Sequence, residues 1–223
     1  MKKIKNILIS CLKKIKSFFP WYRNLYRGKA WYTKTLIGIA SCIVAFIVYL
    51  GMVDINFLWL FGKSPGFYTI MNPETHEASQ IYSSDGELIG KFFNENRTPV
   101  EYEEVNPAFF KALVDTEDER FYKHHGIDYP GLVGAAKDAL LHHDARGAST
   151  ITQQLAKNMF RVRTDYSTGL LGYIPGVRML IMKSKEWIIA TKLEITHSKK
   201  EIITMYANTV DFGSNAFGIK TAC

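Results

Sequence analysis

The stretch TEDERFYKHHG, residues 116–126, places three carboxylates and an arginine close together and then two histidines. A carboxylate beside apolar side chains loses solvation, which raises its pKa and makes it a better base near neutral pH. The stretch is predicted to be helical, and on that helix Glu117 shares a face with Leu113, Phe121 and His124. Glu117 is therefore a candidate general base, and the alternative is an acid that only pairs with a buried cation.

A second acid interrupts an apolar helical face later in the chain. In the helix predicted over 177–195, Glu186 aligns with Met182 and Ala190, and Lys183 lies one turn before it. Two such carboxylates in one small domain are typical of enzymes that act on glycosidic bonds. Spacing along the sequence leaves the distance between the two acids open.

A third helix carries a polar stripe that suits a phosphorylated sugar. Thr150, Gln154, Lys157 and Arg161 recur at helical spacing, opposite an apolar side formed by Ile151, Leu155 and Met159. A helix N-terminus with hydroxyls, followed by an amide and cations, is suited to binding a diphosphate. An ordinary solvated face is the alternative, although the segment lacks the Glu/Lys pairs that such faces normally carry.

The histidines do not predict a metal site. His124, His125, His142 and His143 form two adjacent pairs, and neighbours on a helix point about 100° apart. The sequence holds no His-Glu-x-x-His motif and no Cys/His set. We therefore predict no metal held by the protein alone, and a Mg²⁺ or Mn²⁺ ion at a bound diphosphate, helped by Asp118 or Glu186, remains possible.

The positive charge of the chain is confined to its N-terminus. Residues 1–34 hold ten of the 28 Lys and Arg residues and no acid. From Asp54 onward, 18 Lys and Arg face 21 Asp and Glu, a net charge of −3. This asymmetry argues against a nucleic-acid-binding surface and favours a segment that faces an anionic membrane.

The segment 35–53 predicts a membrane anchor. It contains no charge and, as a helix, would span roughly 28 Å, about one bilayer core. Basic residues stay on the cytoplasmic side, so we expect residues 1–34 inside and the remainder outside. The alternatives are a cleaved signal peptide or a lipoprotein, and the long basic segment and the absence of an A-x-A-like site argue against cleavage.

The four predicted regions differ in secondary structure. We predict that residues 1–34 form a basic amphipathic cytoplasmic segment whose apolar stripe begins at Ile4, and the alternative is a disordered basic tail. The anchor over 35–53 follows, and 54–104 form a linker with a hairpin at Asp85-Gly86. Residues 105–223 are mainly α-helical. Helices are predicted from Pro107 to Gly126, over 129–143, after Thr150, over 177–195 and after Ser198. Capping-box spacing occurs at Thr150–Gln153 and at Ser198–Glu201.

Four blocks of sequence carry a family resemblance. EDERFYKHHG, GASTITQQLAKN, KSKEWIIATKLE and KKEIITMYANTVDFGSNAFGI, taken together, resemble glycosyltransferase family 51 over about residues 80–222. This is the peptidoglycan glycosyltransferase domain of class A penicillin-binding proteins and monofunctional transglycosylases. The resemblance implies a lysozyme-like α fold with a small N-terminal β-hairpin, on the outer face of the bacterial cytoplasmic membrane behind one transmembrane helix.

The activity that the resemblance implies is polymerisation of lipid II. The growing glycan strand moves from its undecaprenyl diphosphate to the 4-hydroxyl of an incoming sugar, with inversion to a β-1,4 link. The implied partners are lipid II, the lipid-linked strand, the membrane and other cell-wall synthesis proteins. A lysozyme-like cell-wall hydrolase and a non-catalytic membrane scaffold are the alternatives.

The resemblance also assigns roles to individual residues. Glu117 matches the general base, and Glu186 matches the second acid, on the side of the leaving diphosphate. Residues that match substrate-binding positions are Asp118, Phe121, His124, Ser149, Thr150, Gln153, Gln154, Lys157, Asn158 and Lys183.

Three departures from the family pattern stand out. The usual Arg-Lys before the second acid is Met182-Lys183 here, so Arg178, one turn back, is a candidate replacement for the arginine. The usual Gly-Gly of the second block is Gly147-Ala148. The family continues past the position matched by Cys223, so we expect the transferase domain to be incomplete at its C-terminus.

Overall fold

The chain is mainly helical in a computed structural model that describes residues 2–73, 79–92, 96–141, 147–163, 168–213 and 216–223. The described helices are α1 (Lys2–Tyr26), α2 (Trp31–Asp54), α3 (Phe67–Met71), α4 (Pro107–Glu117), α5 (Tyr129–Leu141), α6 (Ile151–Met159), α7 (Pro175–Thr196), α8 (Lys199–Thr209) and α9 (Ile219–Ala222). The strands are β1 (Ser79–Tyr82), β2 (Leu88–Phe92), β3 (Asn96–Arg97) and β4 (Ala216–Phe217). Short 3-10 turns cover Phe57–Trp59, Tyr102–Glu104, Phe121–Lys123 and Leu170–Tyr173.

Residues 1–51 form one compact unit, built from α1 and most of α2. Within it the Tyr22 hydroxyl donates to Ser41 Oγ at 3.0 Å, which links the two helices. The predicted apolar stripe of α1 stays a prediction, because most of its side chains lie outside the described residues.

The predicted anchor is one continuous helix. α2 extends beyond the predicted span 35–53 by four residues at its N-terminus and one at its C-terminus. Its most apolar 18-residue window has a mean hydropathy of 2.6, and only 6% of that window is buried. α2 is therefore long and apolar enough to cross a membrane.

Residues 52–223 form the second unit, whose core lies between α6, α7 and α8. Each of these helices buries its apolar side, and α4 adds two buried residues. The fully buried members of this core include Phe121, Ile151, Leu155, Ala190, Leu193, Ile202 and Ile203. The segment after α2 also joins this core through the fully buried side chain of Ile70.

The predicted helix from Pro107 to Gly126 is wrong in its second half. α4 ends at Glu117, and Asp118 takes an extended conformation with φ −161° and ψ 72°. A 3-10 turn over Phe121–Lys123 follows. The physical reason is tertiary: leaving the helix lets the Asp118 carboxylate turn inward to meet His124 and the start of α6.

Short strands lie at two places in this unit. β1 and β2 pair antiparallel on either side of a turn in which the backbone N–H of Gly86 donates to the Ser83 carbonyl. β3 and β4 pair in parallel, although no pattern in the sequence indicated this pairing. The Asn208 amide reinforces that region by bonding both the N–H and the carbonyl of Val100 at 2.9 Å.

Candidate active site

Glu117 is the last residue of α4 and is exposed, so the predicted desolvation of this acid is wrong. Because the helix ends there, Glu117 does not share a helical face with Phe121 and His124. Its Oε2 accepts a hydrogen bond from Gln154 Nε2 at 2.8 Å. The acid is thus open to a substrate and held by one amide donor.

Glu117 opens onto an acidic cleft of about 360 Å³, which we call the acid cleft. Its walls come from the end of α4, from α5 and from the segment just before α6. The residues lining it are Glu117, Asp118, Glu119, Arg120, Asp128, Pro130, Gly131, Gly134, Ala135, Asp138, Gly147, Ala148, Ser149 and Thr150. Arg120 donates to Asp128 across the rim, and this pairing lowers the pKa of the Asp128 carboxyl.

Asp118 is the buried acid of the first block, only 8% exposed. Its two carboxylate oxygens lie 3.0 Å from His124 Nε2. The Gly126 N–H donates to His124 Nδ1, so the imidazole proton sits on Nε2 and points at Asp118. The pair holds the turn after α4 in place, next to the exposed Glu117.

The N-terminus of α6 is already occupied by a carboxylate of the chain itself. The Ile151 N–H donates to Asp118 Oδ2 at 3.0 Å, and the Gln153 N–H donates to Thr150 Oγ1 at 3.2 Å. A negative group at a helix N-terminus is stabilised by the helix dipole. Asp118 therefore takes the Ile151 N–H and Thr150 takes the Gln153 N–H, so neither of these two amides is free to bind a diphosphate.

Thr150 and Gln153 face the interior and are each 2% exposed. The Thr150 hydroxyl and the Gln153 amide both donate to the Gly126 carbonyl, at 2.8 and 3.0 Å. Gly126 has φ +86°, and a Cβ there would lie 3.0 Å from the backbone of Ala190. These contacts fasten the turn after α4 to α6 and α7.

Lys183 joins the second block to the second acid. Its ammonium donates at 2.9 Å to Ser149 Oγ, to Gln153 Oε1 and to Glu186 Oε2. Ser149 also lines the acid cleft. One cation therefore connects the wall of the cleft that holds Glu117 to the buried Glu186.

Glu186 is 2% exposed, as the apolar stripe of α7 predicted. Its Oε1 accepts from Arg163, at 3.0 Å from both Nε and a terminal nitrogen, and its Oε2 accepts from Lys183. A buried carboxylate needs such partners, because burying an unpaired charge is costly. The outer sides of both cations remain partly exposed, at 47% for Arg163 and 31% for Lys183.

A second cleft of about 530 Å³, which we call the basic cleft, lies beside these cations. Its lining combines two arginines with apolar and aromatic side chains: Arg163, Gly172, Tyr173, Pro175, Arg178, Met179 and Met182. Tyr173 is 86% exposed and Met179 is 58% exposed. Two guanidinium groups beside exposed apolar surface can bind a group that is anionic at one end and apolar at the other.

The remaining predicted site residues divide into buried and accessible ones. Phe121 is fully buried in the core, with the Lys199 ammonium 4.3 Å from the centre of its ring, so its side chain supports packing. Lys157 and Asn158 are half-buried on α6 and, among the described residues, make no side-chain hydrogen bond. Arg161 lies beyond the end of α6, with φ 44°, so it does not continue the helical stripe.

Sequence reasoning missed two residues of this site. Arg163 lies outside every helix, so helical periodicity did not relate it to Glu186. The Tyr206 hydroxyl donates to Gln154 Oε1 at 3.1 Å, and no sequence pattern related Tyr206 to Gln154. A basic residue shortly after the polar helix was the only signal for Arg163.

Asp118 and Glu186, the two acids that were expected to help bind a divalent cation, are both engaged by other groups of the protein and do not fit that role. Asp118 is engaged by His124 and the α6 backbone, and both oxygens of Glu186 are engaged by cationic side chains. Across the described residues, no group of three His, Cys, Asp or Glu side chains is arranged for a metal. His142 and His143 lie outside the described residues.

Comparison with known proteins shows the family to which the chain belongs. Residues 85–223 match the family model described as Transglycosylase. Penicillin-binding protein 1A of Escherichia coli (strain K12) is 34% identical over 192 residues, covering 86% of this chain and 21% of that protein. Penicillin-binding protein 1F of Bacillus subtilis (strain 168) is 34% identical over 187 residues, covering 82% and 23%. The chain thus spans about a fifth of the length of the curated relatives that it matches.

Proposed function

Because the chain belongs to the transglycosylase family, glycosyltransferase family 51, we propose that it is a peptidoglycan glycosyltransferase of bacterial cell-wall synthesis. In this proposal it polymerises lipid II into β-1,4-linked glycan strands and releases undecaprenyl diphosphate. The helices α4 to α8 then correspond to the lysozyme-like fold of that family.

The observation that carries the proposal is the contrast between the environments of Glu117 and Glu186. Glu117 is exposed at the acid cleft, where it can accept a proton from a sugar hydroxyl. Glu186 is buried between two cations whose outer sides remain accessible. This arrangement separates a base from a cluster that can bind a negatively charged leaving group.

The reaction divides between the two regions. Glu117 takes the proton from the acceptor 4-hydroxyl, and the oxygen attacks the anomeric carbon of the lipid-linked strand. The bond from that carbon to the diphosphate oxygen breaks on the opposite face, which inverts the configuration. Lys183 and Arg163 stabilise the negative charge that develops on the leaving diphosphate.

The basic cleft is our candidate for the diphosphate and the first part of the polyprenyl chain. Arg178 lines this cleft next to Met182, the position at which the family usually has an arginine. A guanidinium one turn back on α7 can bind a phosphate oxygen from the same side of the helix. Arg178 therefore compensates for Met182 in this proposal.

A membrane-anchored location fits a substrate that is confined to the bilayer. We propose that α2 spans the cytoplasmic membrane once, with the basic α1 on the cytoplasmic side and residues after Asp54 on the outer face. Any Mg²⁺ or Mn²⁺ ion would be held mainly by diphosphate oxygens.

The test is a product analysis with the chain in detergent micelles. Incubation with lipid II is expected to give glycan longer than the substrate, whereas incubation with purified sacculi should release no shorter fragments. Release of fragments from sacculi without polymer from lipid II would instead indicate a hydrolase. Equal turnover of lipid II by the parent and by Glu117→Gln would show that this site does not catalyse the reaction and would favour a non-catalytic scaffold.

A further inference from the structure

A chain of two hydrogen bonds connects the buried core of the domain to Glu117. The Tyr206 hydroxyl on α8 donates to Gln154 Oε1 at 3.1 Å. On the other side of the same amide, Gln154 Nε2 donates to Glu117 Oε2 at 2.8 Å. Tyr206 is 4% exposed and packs in the core, so the chain starts from a fixed point.

The direction of this chain follows from what each group can donate. An ionised carboxylate only accepts hydrogen bonds, so the amide must present its NH₂ group to Glu117. Its carbonyl oxygen then faces Tyr206 and needs a donor. Burial, with a smaller contribution from the negative charge of Glu117, raises the pKa of Tyr206 to about 12, so its hydroxyl keeps its proton at neutral pH.

We propose that Tyr206 is a positioning residue that acts on the base through Gln154. By donating to Oε1, it fixes the amide plane so that the N–H group orients the Glu117 carboxylate toward the acceptor hydroxyl. This inference rests on the proposed role of Glu117 as the general base. Tyr206 itself touches neither substrate nor reacting atoms.

Other ionisable groups lie around the Glu117 carboxylate, so the test must measure a difference. Across the acid cleft, and one turn along α6, the charged groups are Asp118, Glu119, Arg120, Asp128, Asp138 and Lys157. All of them are unchanged in Tyr206→Phe, so their contribution cancels when the variant is compared with the parent.

The first experiment is a double-mutant cycle on lipid II polymerisation. Tyr206→Phe keeps the ring in the core and is expected to lower kcat about tenfold, with KM within about twofold. In a Gln154→Ala background the same substitution should have no further effect, whereas additive losses would overturn the proposal.

The second experiment does not depend on activity. In the full chain labelled with ¹⁵N-glutamine, the side-chain NH₂ signals of Gln154, assigned with Gln154→Ala, are followed by NMR. Tyr206→Phe should shift and broaden these signals, because the amide loses the donor that fixes its plane. Signals identical to those of the parent would refute the relay, even if the chain makes no polymer.

A matched substitution controls for the loss of a tyrosine hydroxyl elsewhere. Tyr122 is 60% exposed and belongs to no part of the proposed relay. Tyr122→Phe should leave kcat and the Gln154 amide signals as in the parent. If it reproduces the effects of Tyr206→Phe, the proposed path through Gln154 is wrong. Absence of polymer from the parent would contradict the proposed function, while the Gln154 amide signals would still decide the relay.

Discussion

The two acids of this domain lie in opposite environments. Glu117 is exposed at the end of a helix and receives one side-chain hydrogen bond among the described residues, from Gln154. Glu186 is buried in the middle of α7, and both of its oxygens are bound by cations. A carboxylate that must take a proton from the substrate has to be open to that substrate and can be held by few hydrogen bonds. A carboxylate that fixes the positions of cations is more effective when it is buried.

The difference also shows how the fold separates reactivity from support. The acid next to Glu117 in sequence, Asp118, is buried and anchors the turn through His124 and α6. The domain thus uses the inward-facing acid to fix the position of the outward-facing one. On α7 the acid that the resemblance assigns to the site, Glu186, is itself buried, and the cations that it holds are the partly exposed groups.

The largest expected effect is that of removing the base. Glu117→Gln keeps the size of the side chain but cannot accept the proton of the acceptor hydroxyl, so polymerisation should fall by about 10³-fold or more. Lipid II binding should stay within about threefold of the parent, measured by fluorescence anisotropy of labelled lipid II. Lost binding together with an unchanged melting temperature would show that Glu117 binds substrate and is not the base.

A smaller loss is expected when the buried acid is neutralised. Glu186→Gln leaves Lys183 and Arg163 without their shared anion, so both cations lose their fixed position. Because these cations stabilise the leaving diphosphate in our proposal, kcat should fall by about 10²-fold. Steady-state kinetics with lipid II measures this loss.

Glu194 provides the matched control for Glu186→Gln. It lies two turns later on α7, its side chain is only 3% exposed, and Lys199 Nζ lies 2.8 Å from its Oε1. Glu194→Gln should lower the melting temperature while keeping kcat within about threefold. If both variants lose activity equally, the effect of Glu186→Gln reflects general weakening of α7.

Helical periodicity predicted the parts of this domain that obey local rules. The predicted long helix matches α7 closely, the burial of Glu186 followed from its apolar stripe, and the capping box of Ser198 and Glu201 is present. At α6, Thr150 caps the helix as expected, but the Gln153 side chain bonds the Gly126 carbonyl and Lys183. The Gln153 side chain thus bonds residues that are distant in sequence instead of the backbone N–H of Thr150, which a capping box would use.

The errors arose where long-range contacts override local pattern. A continuous helix through Asp118 satisfied periodicity, but a hydrogen bond to an amide 33 positions away ends the helix at Glu117. The role of Arg163 depends on a contact with α7 from a segment without helical structure. Glu117, which the resemblance matches to the general base, is among the acids that line the acid cleft, and this assignment does not depend on helix geometry.

The smallest expected effect tests whether water is excluded from the region of α7 around Glu186. Its neighbour Lys185 is fully buried, with its ammonium 2.6 Å from the Lys63 carbonyl, and burial lowers its pKa from 10.5 to about 8. Between about pH 8 and pH 10.5, Lys185 is protonated in the unfolded chain and largely deprotonated in the folded chain. The free energy of unfolding should therefore rise with pH in this window.

Lys185→Met isolates this contribution because methionine fills a similar volume without a charge. The parent should gain about 2 kcal/mol of stability relative to Lys185→Met between pH 7 and pH 10, measured by urea unfolding at each pH. Lys111→Met, which replaces an exposed lysine of α4, should show no such divergence from the parent. Parallel curves for the parent and Lys185→Met would mean that water reaches the ammonium, and the contrast between an open Glu117 and a dry α7 would lose its support.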